Sequence, residues 1–154
     1  MSLNSFWIHA AARPDRVALV EADGREVRAG DLLAATNRNV RGLRALGLGT
    51  GDVVALAMRN RADVLEVALS CAQAGLYVTP INPSLTAAEA GFILEDCGAK
   101  VVVCEAGTAA LIDEALEAGG AQVAEQARFC AGGEVAEGFR PLAELGAVRS
   151  ASSP

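Results

Sequence analysis

Lysine is all but missing from this chain: Lys100 is the only one among 154 residues. Histidine is equally scarce, with His9 alone, and aromatic residues make up only 4%. Any lysine that grips a phosphate or acyl group must therefore be Lys100, and any imidazole base must be His9. No apolar run approaches the roughly 18 residues that a membrane span requires. The opening Met1-Ser2-Leu3-Asn4-Ser5 has neither a basic nor an apolar leader segment, so a cytoplasmic protein is expected. Basic charge is also short. The net charge of −6 argues against nucleic acid, whose phosphates need clustered Lys and Arg. Cys71, Cys97, Cys104 and Cys130 show no C-x-x-C spacing, which excludes a zinc site of the usual kind. A disulfide framework does not suit a cytosolic domain of this size. Small buried hydrophobes is the expected role of these cysteines.

What is present is hydrophobic patterning. At this length one domain is expected, able to remove roughly 70% of its unfolded surface from water. Strand-like and helix-like periods alternate, the pattern of an α/β domain. Residues 4–12 read as a short helix in which Phe6, Trp7 and Ala10 share a face. Val17-Ala18-Leu19-Val20 reads as a strand, and Asp23-Gly24 as a hairpin turn before Arg25-Glu26-Val27. A long helix is expected from about Gly30 to Leu46, with Leu32, Thr36, Val40, Leu43 and Leu46 inward. The strand Val53-Val54-Ala55-Leu56-Ala57 follows. Asn60 is expected to cap the next helix, with Asp63 in its first turn and Val64, Leu65, Ala68, Leu69 and Ala72 buried.

Tyr77 to Ile81 reads as a short strand that Pro80 confines to an edge or a strand end. Thr86-Ala87-Ala88-Glu89 matches a capping box, opening a helix with Phe92, Ile93 and Cys97 inward. Val101-Val102-Val103-Cys104 is apolar throughout, as in a covered parallel sheet. A helix from about Thr108 to Ala118 presents Leu111, Ile112, Ala115 and Leu116. Beyond it, one strand is expected within Gln122–Cys130 and a helical turn within Phe139–Leu145.

No constellation here assembles a catalytic site. Gly47-Leu48-Gly49-Thr50-Gly51 lies in the order helix, glycines, strand, opposite to the order that sets a phosphate on a helix N-terminus. Gly119-Gly120 and Gly132-Gly133 lack the Lys-Ser/Thr pair of a phosphate loop and read as turns. Lys100 follows a helix end, where a cation suits the dipole. Glu66, Glu89, Glu95 and Asp96 fall on helix faces or caps. Ser70 and Ser84 have no histidine partner. Arg38, Arg41 and Arg44 form a row expected to be a solvated face. No catalytic, cofactor-binding or metal-binding residue is assigned.

Several segments, taken in order, nevertheless follow a known pattern. They are Ala12-Arg13-Pro14-Asp15-Arg16-Val17-Ala18-Leu19, Gly42-Leu43-Arg44-Ala45-Leu46-Gly47, Gly51-Asp52-Val53-Val54, Pro80-Ile81-Asn82-Pro83 and Leu85-Thr86-Ala87-Ala88-Glu89. Ile93-Leu94-Glu95-Asp96-Cys97-Gly98-Ala99-Lys100-Val101-Val102-Val103 completes the series. Over about residues 10–104 the chain resembles the adenylate-forming (AMP-binding) superfamily, leaning through Asn82 toward its acyl-CoA synthetases. It departs where relatives carry Thr-Tyr-x-Glu-Leu: here Arg28 replaces the capping Thr.

The resemblance implies a three-layer, Rossmann-like N-terminal subdomain over residues 1–145, mostly parallel sheet flanked by helices, with 146–154 a linker toward a nucleotide-binding loop. It implies a parent ligase of fatty acid metabolism that joins a carboxylic acid to ATP, giving acyl-AMP and pyrophosphate, then transfers the acyl group to CoA. ATP, magnesium and CoA belong to that full-length enzyme, and none has its binding residues in this piece. By itself the piece is expected to be inactive and to self-associate, as a homodimer or otherwise, through exposed apolar surface. A naturally short, non-catalytic interaction module is the alternative.

Overall fold

A computed structural model of the chain describes residues 5–119 and 121–148. Helix α1 (Phe6–Ala12) buries Ala10 and half-covers Phe6 and Trp7. An antiparallel hairpin follows, β1 (Val17–Val20) and β2 (Glu26–Arg28). Its turn uses Gly24 at φ +86°, where a Cβ would be strained. Helix α2 (Ala29–Ala45) leads to β3 (Val53–Ala57), α3 (Ala62–Ala74) and β4 (Tyr77–Pro80). Then come α4 (Ala87–Asp96), β5 (Ala99–Glu105) and α5 (Ala106–Ala118). After a 3-10 turn at Glu125–Ala127 the chain forms β6 (Arg128–Ala131), β7 (Arg140–Pro141) and a second 3-10 turn, Leu142–Ala147.

The five strands β3 to β7 form one parallel sheet in the order β4-β3-β5-β6-β7. Central β5 is covered on both faces, with Val101, Val102, Val103 and Cys104 fully buried. Right-handed crossovers put α3 on one face and α4 and α5 on the other. Consistent with this, α2 packs on α3 and on the closing 3-10 turn, while α4 packs on α5. The α/β fold and its parallel sheet are as the sequence led one to expect. Edge position for β4 and the capping box at Thr86 and Glu89 also hold.

Four expectations are corrected. Asn60 does not cap α3: the N-cap is Arg61, without a side-chain bond. The free Ala62 N–H instead donates to Glu21 Oε1 at 2.9 Å. The buried stripe of α3 is Ala62, Val67, Ser70, Cys71 and Ala74, while Leu65 is 41% exposed. Close approach of α2 selects the small residues, which hydrophobicity alone does not reveal. Phe92 points outward, 68% exposed, because α4 meets α5 through Gly91: a Cβ there would lie 2.7 Å from the Ala115 carbonyl oxygen. Finally, Arg140–Pro141 extends as β7, held by register with Phe129 and Cys130, and the helical turn begins only at Leu142. That turn runs on to Ala147, and residues 149–154 lie outside those described.

Candidate functional site

Sheet order reverses at β3: the chain steps from β3 outward to β4, then crosses back to β5 on the other side. An open α/β sheet receives ligands outside the carboxyl ends of its strands at such a switch point. Here the loop from Met58 to Arg61 faces the start of α5, and the N-termini of α3 and α5 both border the crevice. Unsatisfied N–H groups at helix starts attract anions.

The chain's own side chains take those positions. Glu21 reaches from the hairpin to the Ala62 N–H and also accepts from Arg25 Nε at 2.6 Å. The Ala62 amide, opposed by burial and aided by Arg25, holds the Glu21 carboxyl below its usual range. Glu105 ends β5 and caps α5 through a reciprocal pair with Thr108. Glu105 also accepts the Arg59 N–H at 3.1 Å and lies 3.5 Å from Arg61 Nη1. Arg61 in turn donates from Nε to Asp63 Oδ2 at 2.5 Å. Burial pulls its guanidinium toward losing the proton, but Asp63 and Glu105 outweigh it and raise its pKa. Gly132, at φ +97°, lets the β6 loop lie flat on that guanidinium: a Cβ would sit 3.3 Å from both Nη atoms. Arg61 therefore knits together the ends of β3, β5 and β6.

The candidates weighed from sequence lie elsewhere. Lys100 bonds Asp52 Oδ1 at 2.8 Å, at the opposite, N-terminal edge of the sheet, rather than only facing a helix end. Lys100, followed by the Gly49 N–H, depresses the Asp52 carboxyl pKa. Gly47 to Gly51 is a turn before β3, anchored by Gly51 N–H to the Gly75 carbonyl at 2.8 Å. His9 is exposed on α1. Ser70 is buried and donates to the backbone carbonyls of Glu66 and Thr36. Exposed Ser84 donates its N–H to Asn82 Oδ1. Arg38 and Arg41 are exposed. Arg44 bends back to the carbonyls of Leu48 and Ala74, the latter at 2.7 Å. Cys71, Cys104 and Cys130 are buried and Cys97 half-buried. Burial pushes the Cys71 thiol up to about 12 and raises Cys104 as well.

Sequence reading assigned no role to Glu21, Arg61 or Glu105, although Asn60-Arg61 belongs to the family-like pattern. Only Glu105 left a local trace, three residues before Thr108 at a strand-to-helix junction.

A family model described as "AMP-binding enzyme" matches residues 6–143. The long-chain-fatty-acid–CoA ligase FadD13 of Mycobacterium tuberculosis is 42% identical over 80 residues, 52% of this chain but 16% of its own length. The anthranilate CoA ligase AuaEII, solved in complex with anthranoyl-AMP, shares the fold. It covers 94% of this chain with a TM-score of 0.82 at 21% identity, and the match takes up 27% of its chain. An uncharacterised protein of M. tuberculosis is 31% identical over 102 residues, 66% of this chain and 58% of its own length. No helix among the described residues is long and apolar enough to cross a membrane.

Proposed function

Because this chain belongs to the AMP-binding enzyme family, we propose that it is the N-terminal subdomain of an ATP-dependent acyl-CoA synthetase. The longer enzyme would join a carboxylic acid to AMP with release of pyrophosphate, then pass the acyl group to CoA. Within it these residues act as scaffold, a sheet-and-helix layer carrying one wall of the active site. The supporting observation is the filled switch point. Glu21 and Glu105 hold the helix starts where phosphates would lie, and Arg61 is committed to Asp63 and Glu105. Carboxylates at both helix starts disfavour a triphosphate there, and the two acids nearest the crevice are already paired with arginine, which supports seeking ATP and magnesium elsewhere. On this reading ATP, magnesium and CoA belong to polypeptide beyond this stretch. The same reading takes in a cytoplasmic setting and self-association through apolar surface that the rest of the enzyme would cover.

The test is ATP–pyrophosphate exchange. Residues 1–154 alone should give none above background with a panel of carboxylic acids, and vigorous exchange would refute the scaffold role.

One observation favours a second reading, a short interaction module. The uncharacterised M. tuberculosis relative is itself short, its 102 matched residues making up 58% of it. A stop codon soon after Pro154 would select the module; a continuing frame with a Ser/Thr/Gly-rich loop ending in Pro-Lys would select the synthetase.

A further inference from the structure

Cys104 and Cys130 stand directly opposite each other in the parallel register of β5 and β6. Side chains of such a pair leave the sheet on the same face, so both sulfurs enter one space. Both residues are fully buried, and their thiols are in hydrogen-bond contact. All four cysteines are free thiols, and the other two are placed differently. Cys97 turns its thiol to the Leu94 carbonyl at 3.6 Å, and for Cys71 burial alone accounts for the raised pKa.

Three features make this pair more than core filling. Neighbouring strands run about 4.7–4.9 Å apart, and a disulfide spans Cα atoms about 4.4–6.8 Å apart, so the bond is within reach without parting the sheet. Each cysteine is the last residue but one of its strand, at the carboxyl end. There the Cys130 thiol reaches the Glu134 carbonyl at 3.5 Å, in the loop that follows β6, which makes Cys130 the sulfur nearer that loop. Glu105, next after Cys104, accepts the Arg59 N–H and lies against Arg61. The pair is thus built into the support of the switch point.

We propose that Cys104 and Cys130 close into a reversible disulfide in the presence of a peroxide, forming a redox device beside the switch point. The Cys130 thiolate, its proton given to solvent, attacks one peroxide oxygen. The O–O bond breaks, leaving a sulfenic acid on Cys130 and, once a proton is taken up, one water. The Cys104 sulfur then displaces the hydroxyl from Cys130, and its proton leaves with that hydroxyl as a second water. Two thiols lose two electrons, and one peroxide is reduced to two waters. Burial, then the neighbouring Cys130, raises the Cys104 pKa, so Cys104 stays protonated and follows rather than attacks first. A bond of about 2.05 Å draws the end of β5 toward β6 and shifts Glu105, and with it the hold on the Arg59 amide. This inference is independent of the scaffold role and applies equally to a short module.

The test treats the full chain with hydrogen peroxide in native buffer, then quenches in acid, unfolds it with an alkylating agent and digests with trypsin. Cleavage after Lys100, Arg128 and Arg149 puts Cys104 on peptide 101–128 and Cys130 on peptide 129–149, since Pro141 protects Arg140. The two peptides are expected as one species, two hydrogens lighter than their sum, that dithiothreitol separates again. In spectra of the 15N-labelled chain the Arg59 amide should move on oxidation and return on reduction. Cys97→Ala should leave the link in place, and Cys130→Ser should abolish it while Cys104 stays open to alkylation. Should Cys130→Ser fail to fold, the wild-type peptide map decides by itself. Peptides recovered unlinked, a Cys104 bond to Cys71 or Cys97 instead, a link formed only in urea, or an unmoved Arg59 amide would overturn the proposal.

Discussion

Gly42 sits in the middle of α2, where glycine is a poor helix former. Propensity alone says that Gly42→Ala should stabilise the helix by roughly 1 kcal/mol. The packing says the opposite. A Cβ at Gly42 would fall 1.8 Å from the Leu145 carbonyl oxygen and 2.6 Å from its carbon, both backbone atoms of the closing 3-10 turn. Neither partner can rotate away, so the turn must shift off α2. We expect Gly42→Ala to destabilise by about 2 kcal/mol, within the usual range for overpacking, as a lower urea midpoint with little change in slope. A gain in stability would show that α2 and the turn are not in contact. Gly42 was visible in the sequence as one letter of a family-like segment. The reason for it was not, because the atom that forbids a side chain lies more than 100 residues away. The roles of Glu21 and Arg61 were hidden on the same ground: each matters through a partner that only the fold supplies.

Elements were legible where their stop and start signals are local. Thr86 and Glu89 satisfy each other's backbone across three residues: Thr86 N–H donates to Glu89 Oε2 at 2.8 Å and Glu89 N–H to Thr86 Oγ1 at 3.3 Å. That pairing can be read directly from Thr-x-x-Glu. The start of α3 could not, since its amide is satisfied from Glu21 in another element. Helix α2 is the intermediate case. Its N-cap Arg28 makes no side-chain cap, as the departure from Thr at that position suggested. Arg28 instead donates to the Asp15 carbonyl at 3.0 Å and pairs with Glu26 across an exposed surface. An exposed pair of this kind contributes little, whereas a side-chain cap contributes about 1 kcal/mol. Arg28→Thr should therefore stabilise the chain, by somewhat less than about 1 kcal/mol, raising Tm by about 2–3 °C for a domain of this size. Calorimetry showing a fall in Tm would mean that the Asp15 contact outweighs the missing cap.

At the scale of the whole molecule, apolar pattern foretold a strand covered on both faces, and the sheet order puts it at the centre. Four consecutive buried residues in β5 need a neighbour on each side and a helix on each face. The switch point at β3 was less accessible to reading, because strand order is a property of the finished sheet. The same holds for surface: Phe92 was expected inside, and only the α4–α5 contact puts it outside. The result is a chain with several large exposed hydrophobics: Tyr77 at 67%, Phe92 at 68%, Val20 at 56% and Leu65 at 41%. Val20 and Leu65 border one depression of about 370 Å³ between the hairpin and α3, whereas Tyr77 and Phe92 stand on other elements. Only Val20 and Leu65 share a surface, and single exposed hydrophobics elsewhere are ordinary, so the proposed association would rest on several separate contacts. The proposed self-association then has a definite form in sedimentation equilibrium. The weight-average mass should climb with protein concentration, and the double variant Val20→Lys, Phe92→Lys should hold it near the monomer value. Both side chains already face solvent, so these substitutions remove apolar surface without opening the core. A wild-type chain that stays monomeric up to its solubility limit would mean that its exposed hydrophobics are too scattered to meet, and that no covering partner is needed to keep them apart.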